Sequence, residues 1–178
     1  MAFVLNLNNY RHDSMKLVGN KNDFGVEYKV KSINPLMGYA KVWFGGDYLG
    51  TSEDYIYLEG YLLSGLRDIS FSLEIDFPLS DKDEMFLKLY SRLQDSNDNN
   101  IHRYVRNFGT MTDDFAIFSF LHESTIHILW KLINDDTPFS DLNNLSIDEV
   151  NYFSIDKREY LNKLKVIEHK LLELKGQQ

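Results

Sequence analysis

FGVEYKVKSI, residues 24–33, sets Phe24, Val26, Tyr28 and Val30 at alternate positions with Glu27, Lys29 and Lys31 between them. A period of two with one apolar and one polar face predicts a half-buried strand, because successive side chains of an extended chain point to opposite faces. The next extended run, YAKVWFGGDYL over residues 39–49, is broken by Gly45-Gly46-Asp47. Those residues accept the positive φ angles of a tight turn, so the run predicts a β-hairpin.

Working outward, the pair Thr51-Ser52 followed by Glu53 and Asp54 has the chemistry of a helix N-cap with acids in the first turn. Tyr55, Leu58, Leu62, Leu66 and Ile69 then follow helical spacing. At Phe71 the period returns to two: Phe71, Leu73, Ile75 and Phe77 alternate with Ser72, Glu74 and Asp76, which predicts a strand ending at Pro78. Ser80 and Asp83 resemble a capping box ahead of a helical stripe of Met85, Phe86, Leu89, Tyr90 and Leu93.

Residues 95–100, DSNDNN, form a polar loop. Three extended segments are expected after it, over 101–108, 115–121 and 126–133. FAIFSFL and IHILWKLI are rather apolar, which fits central strands better than edge strands. A long polar connection runs from Asn134 to Glu149, a short strand from Val150 to Ile155, and Asp156 with Glu159 caps a last amphipathic helix. Its stripe is Tyr160, Leu161, Leu164, Ile167, Leu171 and Leu174. The expected fold is therefore α+β, one domain over residues 1–178. A mainly antiparallel, twisted sheet carries about three helices, the C-terminal one packing on it.

The chemistry available to this chain is narrow. Without cysteine it has no disulfide, thiolate metal site or cysteine nucleophile. Of the five histidines, His122 and His127 flank a predicted turn around Glu123, but that spacing matches no common ligand pattern, and no metal or cofactor is expected. Asp95-x-Asn97-x-Asn99 imitates the opening of a calcium loop, yet Asn100 stands where the sharp turn needs Gly and Arg106 where the bidentate Glu belongs. Phosphate-loop, dinucleotide, nucleophile-elbow and zinc-protease motifs are all absent, so no catalytic constellation and no enzyme is expected. The start of the chain, Met1 to Asn9, lacks a basic region ahead of an apolar run, and no stretch approaches the ~18 apolar residues of a membrane span. A cytoplasmic location follows as an expectation.

Charge is the informative property. The chain carries 19 basic and 27 acidic residues, and 6 and 13 of these lie between residues 81 and 149, so the middle third holds −7 of the net −8. Such a field repels phosphate backbones and speeds encounter with a basic protein, although acidity also serves solubility alone. The candidate partner-binding residues are Asp95, Asp98, Asp113, Asp114, Asp135 and Asp136, all in predicted loops.

VWFGGDYLGTSEDYIYLEGYLLSGL, Val42 to Leu66, resembles a segment of bacterial immunity proteins, nearest to the immunity protein 42 family. There an aromatic strand turns at a Gly-acidic pair, here Gly46-Asp47, reaches a second Gly, here Gly50, and enters a helix through Thr or Ser. The C-terminal order is similar too: a strand ending in Ile128-Leu129-Trp130-Lys131, an acidic loop, a strand at 150–155 and a helix with Glu159-Tyr160. The resemblance implies a cytoplasmic protein that binds and neutralises a cognate toxin, often a nuclease. The alternative is a non-enzymatic adaptor or chaperone-like subunit of a secretion system, and after it an enzyme whose site carries no recognised motif.

Overall fold

A computed structural model describes residues 14–176; the start of the chain, with the Met1–Asn9 stretch and His12, lies outside the described residues. The first sheet contains β1 (Lys16–Gly19), β2 (Phe24–Ile33), β3 (Leu36–Phe44), β4 (Asp47–Leu49) and β5 (Ile56–Tyr57). Its order is β1-β2-β3-β4, all antiparallel, and β5 pairs with the start of β3. The β2 alternation and the Gly45-Gly46 hairpin turn are as expected, with φ of +63° and +102° at the two glycines.

The second sheet, β6 (Phe115–His122), β7 (Thr125–Leu132) and β8 (Asn151–Asp156), is antiparallel with β7 in the middle. β6 and β7 are covered on both faces, which explains their largely apolar sequences. Ile117, Ile126, Ile128, Trp130 and Ile155 join the core shared with the first sheet, whereas Ala116, Phe118, Phe120 and Leu129 join a second cluster. That second cluster is roofed by Met85, Phe86 and Leu89 of α2 (Lys82–Gln94). Among the described residues the fold is α+β, with two antiparallel sheets and three α-helices.

The last helix, α3 (Lys157–Leu172), starts where its cap signature placed it: the Asp156 carboxylate accepts from the Arg158 and Glu159 amides. It buries Tyr160, Leu164, Ile167 and Leu171 in the first core, with the Tyr160 ring stacked 4.9 Å from Phe24 of β2. This confirms that the C-terminal helix packs on the sheet.

Four local expectations are corrected. Thr51 and Ser52 cap no helix; the chain turns helical only at Leu58, as a π-helical turn (Leu58–Leu63) leading into α1 (Ser64–Ser70). The cap of α2 is Asp81, whose side chain accepts from the Asp83 and Glu84 amides, and not Ser80. Residues 71–77 are not a strand but make one parallel bridge, Glu74 to Leu121. Residues 101–108 are likewise a short 3-10 turn (Ile101–Arg103) followed by one antiparallel bridge, Val105 to Phe118. Both segments do reach the outer edge of β6, where Ser119 and Leu121 donate to the Tyr104 and Leu73 carbonyls. Each takes a part of that edge too short for a ladder.

Candidate partner interface

At the end of the molecule where β6 begins and β7 ends, three connections are tied together by carboxylates. Phe115 pairs with Leu132 across the β6-β7 ladder, so the residues before β6 and after β7 must be neighbours. The Ile133 amide donates to the Asp114 carbonyl, and the Asp114 carboxylate accepts from Asn134 Nδ2 at 2.6 Å and Thr137 Oγ1 at 2.7 Å. The acidic pairs 113–114 and 135–136 are therefore brought side by side. Asp113, Asp135 and Asp136 are exposed, while Asp114 is half-buried by its bonds.

The third connection joins through Asp141. Its Oδ1 accepts from Thr51 Oγ1 at 2.7 Å, and its Oδ2 accepts from the Ser52 amide and hydroxyl, both at 2.9 Å. Lys41 Nζ of β3 lies 2.8 Å from the same Oδ2, and the Tyr48 hydroxyl donates to the Asp141 carbonyl. Burial alone would raise this carboxyl, but the Lys41 ammonium, the Ser52 amide and the two hydroxyls outweigh it and hold it below the ordinary carboxylate value. Alongside, Glu53 accepts from the Ser140 amide and hydroxyl, and Asp54 from the Thr110 hydroxyl. Glu53 and Asp54 thus add two carboxylates to the four that charge patterning had picked out.

Asp95 and Asp98 lie elsewhere. Asp95 ends α2 and accepts from the Asn97 amide; Asp98 accepts from the Asn100 amide and from Arg92 Nε at 2.6 Å. The calcium-like sequence is thus two Asx turns. Arg92 also reaches Asp76, which Arg103 approaches at 3.4 Å, so two carboxylates meet two guanidiniums. Asp76 and Asp98 are both depressed, each first by its hydrogen bond from Arg92. Asp76 sits two residues past the Glu74–Leu121 bridge at the far end of β6, where Leu121 is about 23 Å from Asp114 at ~3.3 Å per strand residue. The six predicted aspartates accordingly form two groups, four in the acidic loop cluster and two in a separate turn, where Asp98 is paired with Arg92.

His122 and His127 do face one another across the β6-β7 turn, with ring centres 6.3 Å apart. His127 stacks on Phe120 and shares a 2.7 Å hydrogen bond with the Tyr152 hydroxyl; burial, then His122, lowers its pKa. Among the described residues no three His, Asp or Glu side chains are grouped to hold a metal ion, and no helix is long and apolar enough to cross a membrane.

The architecture matches that of a solved structure. The crystal structure of CdiI from Burkholderia dolosa aligns with a TM-score of 0.58 at 15% identity, over 87% of this chain and 99% of that one, and at that identity the likeness is one of fold. A search of curated protein sequences gives no match. The family model for immunity protein 42 matches residues 15–169, and the chain belongs to that family. It is a toxin-neutralising immunity protein, as the resemblance of the Val42–Leu66 segment implied. In that segment Gly50 has a φ of +87°, and a Cβ there would lie 3.2 Å from the Met111 carbonyl oxygen, so the second glycine lets the chain leave β4 against the 110–112 turn.

Proposed function

We propose that the protein neutralises its toxin in the cytoplasm by binding alone, and that the acidic loop cluster is the surface that meets a basic face of the toxin. The observation carrying this is the convergence of Glu53, Asp54, Asp113, Asp114, Asp135 and Asp136 on three connections tied by hydrogen bonds. Like charges held together repel one another, which disfavours the free protein, and a cationic partner relieves that repulsion. Preorganised loops also lose little entropy on binding. A toxin that acts on nucleic acid has such a cationic face, because it must neutralise phosphates; the same acidic field turns nucleic acid itself away from this protein.

The test replaces the exposed Asp113, Asp135 and Asp136 by Lys and measures association with the cognate toxin. At low ionic strength the rate should fall about tenfold to a hundredfold, and the difference should shrink as salt is added. Asp95→Lys, at the far end of β6, should have a much smaller effect. An unchanged rate for the triple variant at low salt would remove the acidic cluster from the interface.

A further inference from the structure

Beside the acidic cluster, α2 and the end of β7 leave an apolar groove of about 420 Å³. Phe86, Leu87 and Tyr90 of α2 form one wall, Leu132 and Ile133 another, and Ile147 and Val150 a third. Phe86, Leu132 and Val150 are buried members of the two cores, which makes the floor rigid. The rim is different: Leu87 is 64% exposed, Ile133 47% and Ile147 39%. Three large aliphatic side chains directed to water around one depression are not needed by either core, and such a patch on a small protein marks a contact surface.

Charge identifies the occupant. Asp83 and Asp148 stand on the rim, and Lys131 is the cation of the lining, its ammonium above the Phe86 ring at 5.9 Å. The groove also borders the acidic cluster, since Ile133 directly precedes Asn134-Asp135-Asp136, and Asp148 and Glu149, which follow Ile147, add further acids beside the groove. An apolar hollow with a negative rim is complementary to a large apolar side chain flanked by Lys or Arg.

We infer that this groove receives an apolar anchor from a basic segment of the cognate toxin, so that the acidic cluster governs encounter and the groove governs residence. The inference rests on the binding role proposed above and adds a second, separable contact. Electrostatic contacts at a rim act mainly on association, whereas a desolvated anchor in a pocket acts on dissociation.

Leu87→Ser and Ile147→Ser separate the two contacts, because both side chains are exposed and their loss leaves the cores intact. The purified toxin is measured against wild type, each variant and the Asp113/Asp135/Asp136→Lys protein, with melting temperature and sedimentation recorded for all. Dissociation should quicken about tenfold or more for the groove variants while association changes less than about threefold, the reverse of the charge variant. Wild-type dissociation rates in both groove variants, with wild type binding normally, would overturn the groove and leave the binding role standing. Failure of the wild type to bind would overturn both. A wild-type dimer that Leu87→Ser makes monomeric without changing toxin affinity would assign the groove to a second copy of this chain and overturn the inference.

Discussion

Trp130→Ala is expected to cost about 3–5 kcal/mol, a large part of the ~5–15 kcal/mol that holds a domain together. Trp130 heads the fully buried side chains by volume and sits on the central strand of the second sheet, on the face turned to the first. Its ring lies 5.7 Å from that of Phe44 on β3, and its indole N–H donates to the Tyr48 carbonyl at 3.1 Å. One side chain thus supplies apolar contact and a hydrogen bond between the two sheets. Truncation to Ala leaves a cavity and strands a carbonyl, and at about 2–4 °C per kcal/mol the melting temperature should fall by roughly 6–20 °C. Trp130→Phe keeps most of the volume and loses the donor, so its loss should be roughly 1–3 kcal/mol. Chemical denaturation of the three proteins gives the ordering; an Ala variant within ~1 kcal/mol of wild type would mean that the sheets are held together elsewhere.

Such a role for Trp130 was invisible locally, where it is one apolar residue in IHILWKLI. What the sequence reading recovered is what neighbouring residues decide. The β2 alternation, the Gly45-Gly46 turn and the Asp156 cap each depend on a few consecutive positions, and each is found where it was placed. Errors arose where a distant partner competed. Thr51-Ser52-Glu53-Asp54 has the composition of a helix start, yet its hydroxyls and the Ser52 amide are taken by a carboxylate about 90 residues further on. Phe71 to Phe77 alternates as a strand should, but it turns over midway: Phe71 is 73% exposed while Ser72 is buried against Ser119, and only Ile75 and Phe77 pack against the second core. Period alone says nothing of which face a neighbour will cover or whether an edge is free to pair.

The candidate site was legible to the same extent. Its charge was read from the sequence, and the meeting of the pairs 113–114 and 135–136 follows from the antiparallel hairpin between them. The separation of Asp95 and Asp98 required the direction of α2, and the joining of the 51–54 connection required Asp141, neither of which has a local signal.

Asp141 is where stability and the proposed interface meet, and its replacement separates them. With its side chain 16% exposed and four donors around it, Asp141→Ala would leave the buried Thr51 and the half-buried Lys41 and Ser52 without their acceptor. The expected loss is about 2–4 kcal/mol at neutral pH, below the full effect of breaking a deeply buried pair because some water can reach the site. Asp141→Asn keeps the shape but loses the charge that meets Lys41, so it should fall between wild type and Ala. The acidic origin shows in the pH dependence. A carboxyl whose folded pKa is depressed contributes stability that is complete above its ordinary value of 3.8 and is lost as pH falls through the folded value. The gap between wild type and Asp141→Asn should therefore hold from neutral pH down to about 5 and narrow below about 4. Denaturation at stepped pH checks this, and a gap that widens on acidification would contradict the assignment. Hydrogen exchange supplies the functional half: with the tie cut, the amides of residues 51–54 and 134–141 should exchange faster while those of β6 and β7 keep their protection. Looser loops spread the carboxylates over more conformations, so toxin association should slow even though the three exposed aspartates, 113, 135 and 136, are untouched. If association stays at the wild-type rate in a variant whose loops exchange freely, charge and not preorganisation governs the encounter.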